Sequence, residues 1–507
     1  MFLMRSASPK ANLRFYRLGV LRFIVLFFFS FLSFTLYGQS ETAKPIELSL
    51  NEAILLAIRE NPNVQKVQLD YIEKKFALGV AQWQFQPQFK FTASRSITRT
   101  VAQGIEQTGN STTIQPAVTL NTPIGTQVSL TSVNNVSGHY NPALTLQIIQ
   151  PLMRGFGRAI VEAALYNAID SEIIGRLDVE SALRETVTSV IKAYLDVVSA
   201  QQAIIIDEDA LKRARTSVKQ TQVFIKAGKK AGSELVTVQA SVATAEGRLE
   251  DHKNSLKQKE YALLTAIGLD PNTSVHYTNL DIKKLIKKYS IPGLDETKQL
   301  ELDNDISYQI ANITLNGATK RSLEIAKDNT RWQLDLTING TMGNGSGGGA
   351  NAGINSLGNG YNQTQSALLN LTIPIDDRAA QQSLLQAKIG LRESLINLKK
   401  SKWDIDTRAI NDWNNIFSTE RSLHFAEDAE NLQNKTYQIS FQKYSYGLID
   451  SLTLQTAQKD LISSQQSLLT ARIAYLTSLV DLDASTGKTL KTWDVKVRYG
   501  EESSVNY

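Results

Sequence analysis

A chemical site needs a nucleophile beside a base, a cluster of metal donors, or backbone amides aimed at a phosphate, and this 507-residue chain is poor in all three. Its histidines, His139, His252, His276 and His424, are widely scattered, and it has no cysteine, so no zinc-type spacing is present. The run TMGNGSGGGANAG from Thr341 to Gly353 is rich in glycine, but no Lys-Ser/Thr follows it and no helix opens on it, which excludes a phosphate loop. Carboxylate pairs fall on helical faces, where solvation explains them. The expectation is a protein that is not an enzyme and holds no cofactor or metal. The informative residues are those that turn the chain: prolines and glycines where strands become helices, and glycines, hydroxyls and carboxylates where long helices reverse.

The first such place is NPALTLQIIQPLMRGFGRA, Asn141 to Ala159. Leu144, Leu146 and Ile148 alternate with Thr145 and Gln147, the pattern of a strand wet on one side. Pro151, Gly155 and Gly157 then end it, and helix-forming sequence runs on without proline for over a hundred residues. LLNLTIPIDDRAA around Pro374 repeats the transition. Between Arg158 and Ala227 lies enough sequence for a helix of about 105 Å. Leu183, Val187, Val190, Tyr194 and Val197 advance in steps of four and three, as in a coiled-coil seam. An intracellular coiled-coil structural protein explains such helices but leaves the strands and the N-terminus without a role.

That N-terminus reads as a signal peptide over residues 1–38: Arg5, Lys10, Arg14, Arg17 and Arg22 precede or open the run LFFFSFLSFTLYG, with no acid before Glu41. An N-terminal membrane anchor is the alternative. The formal charge of +5 resides in those five residues, so the rest of the chain is close to neutral and lacks the basic surface that a nucleic-acid partner wants. Without cysteine there is neither a disulfide nor a lipidated N-terminal tether. No other segment is apolar enough for a spanning helix, so membrane insertion has to use strands closed into a barrel.

The same order of elements occurs twice. A first repeat, 39–268, holds a helix, strands over about 88–150 and long helices over 158–227 and 233–267. A connecting segment, 269–304, leads to a second repeat, 305–487, with a helix, strands over about 333–342 and 367–375, and long helices over 378–446 and 450–483; a tail, 488–507, follows. Ala168 with Ala387, Gly228 with Gly447, and Gln239 with Gln458 all pair at one offset. The first repeat carries an additional alternating pair near residues 116–133, whose place inside or outside a barrel the sequence leaves open. Two strands per repeat cannot seal themselves, so several chains must share one barrel.

With these features the chain resembles the TolC-type outer membrane efflux proteins, the outer membrane factors, over about residues 46–487. QPLMRGFG and IPIDDR at the strand exits carry the resemblance, with YSYGLIDSLTLQTAQ at Tyr444 to Gln458 and its partner IKAGKKAGSELVTVQ at Ile225 to Gln239. It implies a mixed, mainly α fold: a homotrimer with a twelve-stranded transmembrane β-barrel, four strands from each chain, continued by a coiled-coil helical barrel in the periplasm. It also implies a passive exit duct in the outer-membrane lipid, serving a periplasmic adaptor and an inner-membrane pump in tripartite efflux or type I secretion. A non-channel helical scaffold or adhesin of the envelope is the alternative.

Carried over residue by residue, the resemblance places adaptor docking at the turns of Gly228, Gly447 and Leu448, though a glycine helix cap is an ordinary feature. It places a periplasmic aperture at Glu234, Tyr444, Asp450, Thr453 and Thr456. An arginine two residues after the second glycine is replaced by Ile449, leaving Lys226, Lys229 or Lys230 to partner Glu234; a glutamate at a helix start also suits the dipole with no gate at all. Two aspartates usual in relatives are Thr453 and Thr456 here, which implies a weaker cation preference at the constriction.

Overall fold

The computed structural model describes residues 46–136, 141–278, 285–343, 357 and 363–499. The signal-peptide reading and most of the glycine-rich run lie outside the described residues. Two compact units are distinguished. In the smaller, β1 (Ile46–Leu48) and β6 (Val275–Tyr277) pair in parallel. The larger holds all the remaining described elements.

Helix α1 (Leu50–Glu60) starts with a capping box in which Ser49 and Glu52 each accept from the other's backbone N–H. Asn61 then ends α1 and caps α2 (Pro62–Trp83), whose first-turn proline costs no hydrogen bond. The chain next runs through β2 (Gln88–Ala102), β3 (Ile105–Asn121), β4 (Gln127–Asn135) and β5 (Asn141–Pro151). A single turn, α3 (Arg158–Val161), precedes the long α4 (Ala163–Lys226). The uninterrupted start at Arg158 expected from sequence is thus broken at Glu162, which pairs with Arg158 at 3.1 Å. Helix α5 (Ser233–Ile267) ends at Gly268, whose φ of +93° and close approach to the Glu60 carbonyl leave no room for a side chain.

The second half follows with α6 (Leu294–Asn304), α7 (Ile306–Thr314), a π-turn (Leu315–Thr319), α8 (Lys320–Asn329), β7 (Gln333–Gly343), β8 (Gln363–Thr372), the long α9 (Arg378–Ser445), α10 (Ser451–Ser485) and the short α11 (Thr489–Thr492). The π-turn interrupts what the sequence presents as one helix. Gly317 there backs onto the Asp170 carboxylate, which is also held by Arg321. Strand β8 begins earlier than the expected residue 367 because Gln363 to Ser366 pair with Met342 to Asn339, and it ends before Pro374, which has no N–H to donate.

Six strands form one antiparallel sheet in the order β2-β3-β4-β5-β7-β8. This ladder holds six strands, two more than the four that the resemblance implies for each chain's share of the barrel. The additional pair near residues 116–133 is the adjoining β3 and β4, hydrogen-bonded from Ala117–Thr131 to Asn121–Gln127, and β2 continues the sheet beyond β3 over fifteen rungs. One face is apolar on every strand. It carries Phe89 and Phe91 of β2 opposite Val118 and Pro116, Leu120 and Val118 opposite Val128 and Leu130, and these opposite Ile148 and Leu146. Ile148 in turn faces Ile338, and Leu336 and Leu334 face Leu369 and Leu371. The other face is polar, with Gln147 donating to Asn339 at 3.0 Å and Thr145 bonded to Thr341.

The four long helices pack as a row, α9 on α10, α10 on α4, and α4 on α5. All five residues of the expected α4 seam, Leu183, Val187, Val190, Tyr194 and Val197, are at most 1% exposed. Helix α9 is the opposite case. Of its 68 residues only Ile405, Ala409, Ile416 and Tyr444 are buried, while Ile389, Ile396, Trp403 and Ile410 form an exposed stripe at seven-residue spacing, resumed by Phe425, Leu432, Ile439 and Tyr446.

Near the end of α10, Asp483 is buried, accepts from Thr492 at 2.9 Å, and leaves its second oxygen without a partner. Burial pushes its carboxyl up to about 6, against the pull of Thr492, Lys488 and Lys288. The folded state therefore holds this proton more tightly than the unfolded chain. The stabilisation is full below the ordinary carboxylate value near 4 and is lost as pH rises through about 6. In Asp483→Asn that loss should vanish: the variant's apparent Tm relative to the parent should climb from pH 4 to pH 6 and then level, for a gain of roughly 2 kcal/mol. A pH-independent difference in scanning calorimetry would refute the assignment.

Candidate aperture and docking turns

The two long helix pairs reverse by the same device. At the end of α4 the N–H of Gly228 bonds to Ile225 O and that of Lys229 to Phe224 O; at the end of α9 the N–H of Gly447 bonds to Tyr444 O and that of Leu448 to Lys443 O. Both glycines are left-handed, with φ of +69° and +75°, and a Cβ on either would meet nothing within 4 Å. Backbone conformation, rather than space, therefore requires glycine at these caps. The next helices start differently. Asp450 caps α10 by accepting from Thr453 N–H at 2.9 Å, whereas α5 follows Gly232 with no side-chain cap. Hydrogen bonds from Thr453 hold the Asp450 carboxyl below the usual carboxylate range.

Tyr444 is the buried centre of this end, fully shielded on the inner side of α9. Thr221 donates to Ser217 O at 2.7 Å, so the Tyr444 hydroxyl donates to Thr221 Oγ1, at 2.5 Å. Phe224 meets the Tyr444 ring edge-on, with centroids 5.9 Å apart. Lys230 closes the group. Its Nζ sits 4.0 Å from the Tyr444 ring centroid, donates to Glu234 at 2.9 Å and reaches Ile449 O at 3.2 Å. One lysine, its side chain 7% exposed, thus ties the α4–α5 turn to the α9–α10 turn. Of the three lysines considered from sequence, the structure pairs Lys230 with Glu234.

The sequence reading missed Thr221 and the reach of Lys230 across to the second turn. Both are invisible to spacing within one repeat, because each acts on the other repeat. At position 449, where the resemblance implies an arginine, the Lys230 tie runs to the backbone oxygen of Ile449. Thr453 and Thr456 are exposed, Thr456 bonding only to its own helix at Leu452 O. Beside them Gln455 donates to Thr237 O at 2.8 Å and the buried Gln458 to Ala210 O at 3.1 Å, crossing from α10 to α5 and α4. Leu448, Tyr446, Leu452, Val223 and Val236 stand exposed around the turns.

The strand exits gather at the opposite end of the same helices. Pro151 closes β5, Leu152 N–H bonds to Leu334 O at 2.7 Å, and Arg154 N–H to Trp332 O at 3.3 Å, so the chain stays laced to β7 as it leaves the sheet. Gly155 and Gly157 both have positive φ; their N–H groups bond to the Asp328 carboxylate and to Ile124 O. After Pro374, Asp377 caps α9 by accepting from Ala380 N–H at 2.9 Å. Of the histidines, His252 contacts the fully buried Asp207, which Arg248 also binds at 2.6 Å, and His424 lies 3.9 Å from Glu427. Among the described residues no three His, Asp or Glu side chains converge as metal donors.

A mainly helical chain with a half-wet antiparallel sheet at one end and glycine-capped helix reversals at the other agrees with the comparison to known proteins. The family model described as outer membrane efflux protein matches residues 53–269 and 322–488. The chain belongs to the outer membrane efflux protein family. It is an outer-membrane protein whose helical part lies in the periplasm.

Solved structures share the fold. The chain is 16% identical to CusC at a TM-score of 0.66, covering 89% of this chain and 95% of that one. It is 16% identical to the CmeC outer membrane channel of Campylobacter jejuni at 0.62, covering 87% and 86%. It is 14% identical to the MtrE outer membrane channel of Neisseria gonorrhoeae at 0.65, covering 88% and 91%. A search of curated protein sequences gives no match.

If Lys230 and Tyr444 hold the two turns together, Tyr444→Phe should raise amide hydrogen exchange several-fold at residues 221–232 and 444–452, consistent with about 1 kcal/mol for one buried hydrogen bond, and Lys230→Met should do so more strongly. Exchange unchanged in these two turns, or raised equally along all four helices, would contradict the tie.

Proposed function

We propose that three copies of this chain form a passive duct that carries substrates from an inner-membrane pump and a periplasmic adaptor to the cell exterior. The observation that carries it is that the chain ends both its layers as open rows. The sheet stops at β2 and β8, whose outer edges have no partner strand among the described residues, and the helix row stops at α9 and α5. An exposed heptad stripe along most of α9 is a seam without its other half. In lipid an open edge leaves amides and carbonyls unpaired at several kcal/mol each, so closure has to come from neighbouring copies. The apolar face of the sheet then meets lipid, and the polar face, with Gln147, Asn339, Thr145 and Thr341, lines the bore.

At the periplasmic end the Tyr444–Lys230 tie keeps the turns of one chain together, and the constriction forms where those of three chains converge. The exposed Leu448, Tyr446 and Val223 beside Gly228 and Gly447 are the surface offered to an adaptor. Export is driven by the pump, since the duct supplies only a wall. A helical scaffold or adhesin leaves the sheet's polar face without a role.

Purified from outer membranes in detergent, the protein should run as a trimer and conduct in planar bilayers. Multivalent cations should block it weakly, because Thr453 and Thr456 present no carboxylate, and Thr453→Asp with Thr456→Asp should create a block at least tenfold stronger. A monomer without conductance would defeat the duct. Strong block in the parent that disappears on changing these threonines would defeat the assignment of the constriction.

A further inference from the structure

Building on the trimeric duct proposed above, we infer that the outer hairpin β2–β3 is a full part of the transmembrane wall, so that each chain contributes six strands and β2 is the strand that seals against β8 of the neighbouring copy.

The register carries this. A level apolar band on tilted strands must climb relative to the hydrogen-bonded rungs. With strands 4.8 Å apart, 3.3 Å per residue and a tilt of 35–45°, it shifts by about 1.0 to 1.5 residues per strand, or about 5 to 7 over five steps. The rung through Phe89 passes Val118, Leu130, Leu146 and Gly340 and reaches Gln365. At β2 this rung is the bottom of the apolar run, whose first polar successor is Arg95; at β8 it is already the first polar position above Ala367, Leu369 and Leu371. Arg95 lies six residues from Phe89, so the top of the apolar run stands six rungs higher on β2, and on β3 where Thr112 faces Arg95, than on β8. The apolar face runs unbroken from Phe89 and Phe91 through Val118 and Leu130 to Leu146, which puts β2 and β3 in the same layer as the other four strands. A hairpin lying in water outside the wall has no reason to keep an apolar face aligned with that of its neighbours.

Above the band β2 and β3 turn polar together, with Arg99 bound to Glu106 at 2.6 Å, as befits a hairpin rising past the headgroups. Strand direction agrees as well. Strands alternate along the order β2 to β8, so β8 and the next chain's β2 meet antiparallel. Wall length points the same way: twelve helices from three rows, at 8–10 Å each, need a perimeter of about 100–120 Å. Eighteen tilted strands give about 110 Å, whereas twelve give about 75 Å.

Continuing the slope by one more strand sets Thr92 of one chain opposite Asn370 of the next, to within about one rung. The full chain has no native cysteine, so paired substitutions report directly. In outer-membrane vesicles under oxidation, Thr92→Cys with Asn370→Cys, or the same scan moved one rung to Ser94 or Leu368, should give disulfide-linked trimers. Thr131→Cys with Asn370→Cys should not, because β4 is occupied by β3 within its own chain. Trimers linked through Thr131, or intact native trimers that no β2–β8 pair crosslinks, would overturn the inference. A second measurement does not depend on trimerisation. A fluorophore on Phe91→Cys should be quenched by brominated lipid and the free thiol should resist a charged maleimide; labelling by that maleimide without lipid quenching would overturn the placement even in a monomer.

Discussion

The constraint on which the rest depends is that peptide groups in hydrocarbon have no water to turn to. A helix satisfies them within itself, whereas a sheet does so only when its two edges meet. This chain commits six strands to one sheet and finishes at β2 and β8, both with exposed side chains along their length. From that follow the need for copies, the antiparallel alternation that lets β8 meet the next β2, and the separation of Leu, Ile and Phe on one face from Thr, Gln and Asn on the other. The helices inherit the problem in milder form. In water an open row costs apolar area rather than hydrogen bonds, and the exposed stripe on α9 is that area.

The transition between layers falls where the chain can end a ladder without stranding donors. Pro151 has no N–H, and Leu152 and Arg154 after it still bond back to Leu334 and Trp332, so pairing fades across the exit instead of stopping abruptly. Gly155 and Gly157 then supply two left-handed turns that no side chain would favour, one of them anchored on Asp328 from the helix that leads into β7. The two repeats are bound to each other at this exit and again at the Lys230 tie, with four helices between. Along that length α4 packs between α10 and α5, and its seam from Leu183 to Val197 is buried.

Most of this architecture was legible in the sequence because it depends on periodicity. Period-two alternation located β5 and β7, the four-three spacing of Leu183 to Val197 located the buried seam, and Gly228 and Gly447 located both reversals. What escaped depends on contacts between distant parts of the chain. The π-turn at Gly317 answers to Asp170, the break at Glu162 to Arg158, and the bond at Tyr444 to Thr221 in the other repeat. Spacing showed the extra hairpin as alternation but not its neighbours, since register is a property of the assembled sheet.

The contact between the two turns at Ile449 is made to backbone and not to a side chain. A lysine in the first turn reaches the carbonyl at that same position, and a carbonyl is present whatever side chain the residue carries. The tie therefore does not depend on the side chain at residue 449. It depends instead on keeping Lys230 nearly buried against the Tyr444 ring, where a cation loses water and must be compensated by Glu234, the ring face and the carbonyl together. Such a group is stable only while both turns stay in place. Separating them would leave the ammonium with fewer partners, so the cost of parting the two turns falls heavily on this one side chain.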